Sequence, residues 1–345
     1  MRSEVVAAFA PGRVNLIGEH TDYNGGLALP FAIAEGVTVQ ARATNGEVVS
    51  AHAVDLGEDD QFPLREPPGA EGWRAFVRGA VAECGRAGFE VPGADLRITG
   101  DVPRGSGLSS SAALEVALCL ALLGLAGETC EDRVALARLC ARVENDWVGA
   151  RTGMLDQLAS LFGAPETALR IDFQTLEIES VPLRLGGWRF AVVDSGERHA
   201  NASSGYNERR AECERAQELL GVETLRDASA AGVAGLARPL RARAEHVLGE
   251  NARVEQAVAA LRAEDLPAVG ALLDASHASL RDLCEVSTPA VERAVERLRE
   301  QGAAGARLMG GGFGGSVLGL FASDVPVPPG AREVRPGPGA HLLAD

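Results

Sequence analysis

Between Gly12 and Gly26 the chain reads GRVNLIGEHTDYNGG, which crowds Arg13, Asn15, Glu19, His20, Asp22 and Tyr23 into one short span. Carboxylates accept hydrogen bonds from hydroxyl groups, and an arginine can offset the charge of a phosphoryl group in transit. The combination suits a polyhydroxylated substrate. Glycines at 12, 18, 25 and 26 let the backbone turn sharply around these groups. A hydrogen-bonded polar turn between two strands is the plainer reading of any one of these residues, and the whole string makes it a poor one.

A second segment, GDVPRGSGLSSSAALEVALCL, places Gly105, Ser106, Gly107 and Leu108 ahead of the serines Ser109, Ser110 and Ser111, which open a strongly apolar run. If that run is a helix, its first turn presents unpaired N–H groups and a partial positive charge, the makings of an anion site. Serine hydroxyls add donors and an oxygen for a divalent cation. Ordinary N-capping by serine accounts for the same pattern and stays open at this point. The third segment, RLMGGGFGGSVLGL, sets Gly310, Gly311, Gly312, Gly314 and Gly315 inside a β-favourable stretch. Such a density of glycine costs conformational entropy and signals either a close backbone approach or a glycine-rich hairpin. Glu144 and Asp156, taken from spacing alone, would pass for solvated surface carboxylates.

Composition narrows the chemistry. The chain has no lysine, so all 33 basic residues are arginines. A P-loop needs a lysine on the phosphates, protein kinases need their strand lysine, and Schiff-base enzymes need an amine, so all three classes are excluded. Any phosphate cradle here must work through backbone dipoles, hydroxyls, arginines and a cation. A net charge of −15 argues against nucleic acid as a partner. Six scattered cysteines without a C-x-x-C pair read as buried thiols in a reducing compartment, not a disulfide framework or zinc site. No apolar run approaches the ~20 residues that span a bilayer, and the Pro11-Gly12 pair comes too early for a signal peptide. A cytoplasmic protein without membrane contact is expected.

The elements that must position these residues can be read from hydrophobic period and punctuation. Strand-like runs open the chain (EVVAAFA, LALPFAI, GVTVQARA, EVVSAHAV), followed by a helix over about Trp73–Ala87 and a strand at ADLRITGDV. A long helix is expected from about Ser109 to Leu125, and another through Arg142–Val148. Strands follow at ALRIDF, LEIESVPL and WRFAVVD, and residues Ser203 to about Glu300 carry helical period. A strand pair around the glycine cluster closes the chain. This order points to an α+β fold, not a repeating βαβ sheet, with a boundary near residue 180.

In this order, the three glycine-containing segments resemble the motifs of the GHMP kinases, and GRVNLIGEHTDYNGG resembles the signature of their galactokinase branch. The likeness extends to WRAFVRG at Trp73–Gly79, GMLDQ at Gly153–Gln157, SGYNERRAECE at Ser204–Glu214 and SHASLRDLCEVSTP at Ser276–Pro289. The resemblance implies a two-lobed α+β architecture. A ribosomal-S5-like N-terminal lobe over residues 1–180 would carry the sugar signature and phosphate loop. A ferredoxin-like C-terminal lobe over 181–345 would carry the glycine-rich third motif. It implies transfer of the γ-phosphoryl of ATP, with Mg²⁺, to the C1 hydroxyl of α-D-galactose.

By motif, Arg13 and Asp156 correspond to the catalytic pair. Arg13, Glu19, His20, Asp22, Gly153, Asp156 and Tyr206 correspond to the sugar-contacting positions. Gly105, Ser106, Gly107, Leu108, Ser109, Ser110 and Ser111 correspond to the phosphate loop, and Ser111 and Glu144 to the magnesium-associated pair. The implied partners are small molecules, galactose and ATP, and a monomer is the expected form. The alternatives are a sister sugar 1-kinase acting on N-acetylgalactosamine or arabinose, and a non-catalytic sugar- and ATP-binding regulator. Intact Ser109–Ala113, Arg13 and Asp156 favour the enzyme over the regulator, and EHTDYN argues against a mevalonate- or homoserine-type kinase.

Overall fold

A computed structural model describes residues 5–103, 107–150, 152–198 and 202–344. The first half holds strands β1 (Val5–Asn15), β2 (Leu27–Ala28), β3 (Pro30–Thr44), β4 (Val48–Ala53), β5 (Glu58–Pro63) and β6 (Gly93–Gly100). Its helices are α1 (Trp73–Arg86), α2 (Ser110–Leu125), α3 (Arg133–Arg142) and α4 (Leu155–Phe162), with a π-helical turn at Val143–Val148. Strands β7 (Thr167–Asp172), β8 (Ile178–Pro182) and β9 (Arg189–Arg198) follow. Then come α5 (Ala202–Leu220), α6 (Ala230–Ala234), α7 (Leu240–Arg262), α8 (Leu266–Ser279) and α9 (Pro289–Glu300). Strands β10 (Gly305–Leu308), β11 (Gly314–Phe321), β12 (Arg332–Val334) and β13 (His341–Leu342) complete the chain. The α+β class expected from element order is the one observed.

The chain divides into two compact units, one of residues 1–13, 32–164 and 337–345, the other of 14–31 and 165–336. A single boundary at residue 180 does not describe this division, because two segments leave their sequence neighbours. Residues 14–31 join the second unit because β2 pairs with β7, Leu27 opposite Asp172 and Ala28 opposite Ile171. The Leu27 N–H also donates to Asn251 Oδ1 at 2.8 Å. The C-terminal residues return to the first unit because β13 pairs with β1, Ala8 opposite Leu342. There the Ala340 N–H donates to the Ser160 carbonyl at 2.8 Å. Strand pairing is blind to sequence distance, so a composition shift cannot reveal such returns.

In the first unit the sheet order is β13-β1-β3-β6-β4-β5, with β4 and β6 parallel and β3 antiparallel to β6. Helix α2 is apolar on nearly every face, and Ala113, Val116, Ala117, Leu118, Ala121 and Leu122 are all fully buried. A helix that is apolar all round belongs in a core, so its polar N-terminal end is fixed at the edge of that core. Helix α3 starts where Asp132 caps the Ala135 N–H.

The second unit contains the antiparallel sheet β10-β11-β9-β12 and the smaller sheet β2-β7-β8. Helix α9 lays Val291, Val295 and Leu298 on Ala306, Leu308, Val317 and Phe321 of the larger sheet. Its start is set by Thr288, which caps the Val291 N–H, and by Pro289 in its first turn. Another cluster joins Cys213 and Ala216 of α5 to Ala244 and Val247 of α7. All six cysteines are free thiols and five are buried. Among the described residues, no helix is long and apolar enough to cross a membrane.

Candidate active site

In the first unit the chemistry gathers where β1 meets the entrance to α2. The Arg13 N–H donates to the Leu108 carbonyl at 3.0 Å, which docks the loop before α2 onto the strand. A β-carbon at Gly12 would lie 2.4 Å from that same carbonyl, so only glycine allows this approach. Arg13 is 6% exposed. Its Nε donates to Asp156 Oδ1 at 2.7 Å, and its NH1 donates to the Gly107 carbonyl at 2.6 Å. Asp156 lies in the first turn of α4, where the helix N-terminus favours a negative charge. Its second oxygen, Oδ2, accepts from the Ser109 hydroxyl. Both oxygens of Asp156 are therefore held, one by the guanidinium and one by a serine of the loop.

Ser109 occupies the N-cap position of α2 in a left-handed conformation (φ 56°) and makes no side-chain cap. Its hydroxyl is committed to Asp156, so the plain capping reading does not hold for this residue. Ser110 and Ser111 form the first turn of α2. Beside them Leu56, Trp73, Ile98, Val102 and Leu114 wall an apolar cavity of about 120 Å³ that reaches Ser110. Gly105 and Ser106 lie outside the described residues.

Glu144, in the π-helical turn, is buried. Its Oε2 accepts from Thr152 Oγ1 at 2.9 Å and from Gln157 Nε2 at 3.0 Å, and Ser111 hydrogen-bonds the same carboxyl. Burial pushes the Glu144 pKa above the usual carboxylate range, and the charge of Asp156 pushes it further. Gln157 Nε2 also reaches Glu115 Oε2 at 3.2 Å. Glu115 is fully buried, and burial followed by repulsion from Glu144 raises its pKa well above the ordinary value. Burial disfavours negative charge on both carboxyls, and a cation held by the hydroxyl of Ser111 and the carboxylate of Glu144 would favour the ionised form of Glu144. Hard oxygen donors of this kind fit Mg²⁺, which takes few protein ligands and completes its shell with water and phosphate. Among the described residues, no group of three or more His, Cys, Asp or Glu side chains could hold a metal alone. Gly153 precedes α4 in this unit.

The second unit gathers Glu19, His20, Asp22 and Tyr206. Asp22 opens a single 3-10 turn, Asp22–Asn24. His20 has a left-handed backbone (φ 59°). Its Nδ1 lies 2.7 Å from the Tyr23 hydroxyl and its Nε2 lies 3.2 Å from the Gly311 carbonyl. A carbonyl can only accept, so Nε2 carries the proton and Nδ1 accepts from Tyr23. Burial, reinforced by the neighbouring charge of His246, pushes the His20 pKa down to about 3 and keeps the ring neutral. Burial likewise raises the Tyr23 phenol well above its ordinary value, so it stays a donor. The Tyr206 ring lies 5.2 Å from the His20 ring. A β-carbon at Gly311 would come within 2.8 Å of Tyr206. One glycine of the third segment thus makes room for an aromatic ring.

Three residues that the sequence reading did not single out hold the signature in place. Arg307 of β10 is fully buried and donates to the Asn15 and Leu16 carbonyls at 2.9 and 2.6 Å. His246 Nε2 lies 3.0 Å from the Glu19 carbonyl, and Glu250 Oε1 accepts from the Gly18 N–H at 3.0 Å. His246 and Glu250 stand one turn apart on α7, a spacing found on any helix. Arg307 is a lone charge in an otherwise apolar strand, which is the one signal that could have exposed it.

Residues 75–164 match the family described as GHMP kinases N terminal domain, and residues 257–335 match GHMP kinases C terminal. A mevalonate kinase from Methanococcus jannaschii shares the fold, with a TM-score of 0.69 at 20% identity over 96% of this chain and 98% of that one. Fold and domain matches together define the class as that of the GHMP kinases. Residues 2–43 match the galactokinase galactose-binding signature. A galactokinase from Mycobacterium tuberculosis (strain ATCC 25177 / H37Ra) is 45% identical over 322 residues, covering 91% of this chain and 88% of that protein. One from Thermotoga petrophila is 40% identical over 310 residues, 90% of this chain and 87% of that protein. The structure of Lactococcus lactis galactokinase complexed with galactose superposes with a TM-score of 0.91 at 35% identity, covering 99% of this chain and 95% of that one. The chain belongs to the galactokinase family.

Proposed function

We propose that the chain transfers the γ-phosphoryl group of MgATP to the C1 hydroxyl of α-D-galactose, yielding galactose 1-phosphate and ADP. The observation that carries this reading is the Arg13–Asp156 ion pair, 2.7 Å long and set at the loop that leads into α2. Phosphoryl transfer asks a protein mainly for positioning and charge stabilisation. Asp156 orients the attacking hydroxyl and takes its proton. Each of its oxygens keeps a second lone-pair direction beyond the bonds to Arg13 and Ser109. Arg13 keeps the carboxylate in place and offsets charge on the phosphoryl group as it passes.

Gly105 to Ser111, with the N-terminus of α2, cradle the phosphates without an ammonium. The apolar cavity beside Ser110 suits the nucleobase, with Trp73 as its aromatic wall. Ser111 and Glu144 would hold Mg²⁺, which when bound neutralises the phosphate oxygens. Glu19, His20, Asp22, Gly153 and Tyr206 hold the sugar. Carboxylates accept its hydroxyls, and the neutral His20, whose N–H is held by the Gly311 carbonyl, adds an uncharged ring.

An ADP-release assay with purified protein, Mg²⁺ and a panel of sugars tests this. Galactose should show the highest kcat/KM, and 4-deoxygalactose should fall roughly 10⁴-fold, as when a site built around a hydroxyl meets its absence. A preference for N-acetylgalactosamine or arabinose would replace the substrate. No ADP release with any sugar, despite binding of galactose and ATP, would favour the non-catalytic regulator.

A further inference from the structure

We infer that Arg307 is a positioning residue that fixes which oxygen of Glu19 faces the sugar. Glu19 Oε1 is engaged by the protein, accepting from the Gly310 N–H at 2.8 Å and lying 3.2 Å from Arg307 NH2. Among the described residues, no donor to Oε2 is found. The carboxylate is thus split into an anchored oxygen and one left for a hydroxyl.

Arg307 also ties down the backbone that carries Glu19. Its NH1 bonds the Asn15 and Leu16 carbonyls, while neither Nε nor NH2 has an aligned hydrogen-bond partner. The NH2 contact with Glu19 is therefore a charge contact, strong because both groups are buried. A fully buried guanidinium is costly unless a carboxylate answers it, so Arg307 and Glu19 hold each other in one arrangement. His246 and Glu250 fix the Glu19 carbonyl and the Gly18 N–H from α7. With the main chain held from two elements, the side-chain angle of Glu19 is left to Arg307 and Gly310.

The inference rests on Glu19 contacting the sugar, and its test separates the two ideas. Steady-state kinetics are measured for R307K, R307Q, E19Q and both double variants, with thermal melting as a check on folding. E19Q should raise the galactose KM, and R307K and R307Q should raise it roughly 10- to 100-fold, the range for a hydrogen bond to a charged group. The ATP KM should stay within about twofold. In the E19Q background, the Arg307 substitutions should add less than about threefold, because Arg307 acts through Glu19. An impaired E19Q with unaffected Arg307 variants overturns the inference alone. Full additivity of the two substitutions does so as well, as does a parallel loss of melting temperature and ATP affinity. A wild-type galactose KM in E19Q overturns the role of Glu19 and this inference with it.

Discussion

Replacing Asp156 with asparagine separates chemistry from architecture, because the structure shows what each atom of the new side chain would meet. The amide oxygen can still accept from Arg13 Nε, which now donates to Oδ1 at 2.7 Å. The amide nitrogen would stand where Oδ2 accepts from Ser109, and that hydroxyl can rotate to accept instead. Shape is preserved, while the negative charge and the proton acceptor are lost. Removing a positioned acid or base costs roughly 10²–10⁴ in rate, equivalent to about 3–5 kcal/mol of barrier. Arg13, buried and retaining the Gly107 carbonyl, would lose its counter-charge, so melting temperature should fall as well. The assay is single-variant steady-state kinetics beside calorimetric titration of galactose. The expected result is kcat reduced at least about 100-fold, with galactose Kd changed by less than about tenfold. A D156N enzyme turning over within a few-fold of wild type would refute the role given to this carboxylate.

Glu144→Gln should raise the Mg²⁺ concentration for half-maximal rate by more than about tenfold with little effect on galactose KM, since one hard anionic ligand is lost. Because burial raises the pKa of Glu144, the neutral amide should leave melting temperature equal or higher. An unchanged Mg²⁺ dependence would remove Glu144 from the cation site.

The neutral His20 makes a pH prediction. Its unfolded form takes up a proton near pH 6.5 and its folded form only near 3, so its contribution is complete above 6.5 and is lost as pH falls toward 3. The full effect is at most roughly 5 kcal/mol. Melting temperature between pH 7 and 4 should fall less steeply in His20→Asn than in wild type, and equal slopes would contradict this. Gly18→Ala should cost roughly 2–3 kcal/mol in urea unfolding. Gly18 has φ 103°, and a β-carbon there would sit 2.5 Å from Ala28 Cα. Wild-type stability would show that β2 can yield.

What could be read directly from the sequence was local. The helices at Trp73–Arg86 and Ser110–Leu125, and the α+β class, followed from hydrophobic period and glycine punctuation. The pairing of Arg13 with Asp156 came only from family resemblance, because no spacing rule links residues so far apart. The bond from Ser109 to Asp156 was hidden for the same reason, since three consecutive serines before an apolar run look like caps. Arg307, His246 and Glu250 act on the backbone of residues 15–19, and backbone atoms leave no trace in residue type. The excursion of residues 14–31 depends on β2, only Leu27–Ala28, which is too short to carry a period. The π-helical turn at Val143–Val148 read as ordinary helix, yet it carries Glu144.

The central claim is regiospecific transfer to the anomeric oxygen of galactose. It is tested most directly by incubating the purified protein with galactose and MgATP and examining the product by phosphorus and proton NMR. One phosphate ester is expected, its phosphorus coupled to H1 of the α anomer and formed in a one-to-one ratio with ADP. A phosphorus coupled to any other ring proton, or ADP released without a sugar phosphate, would contradict it.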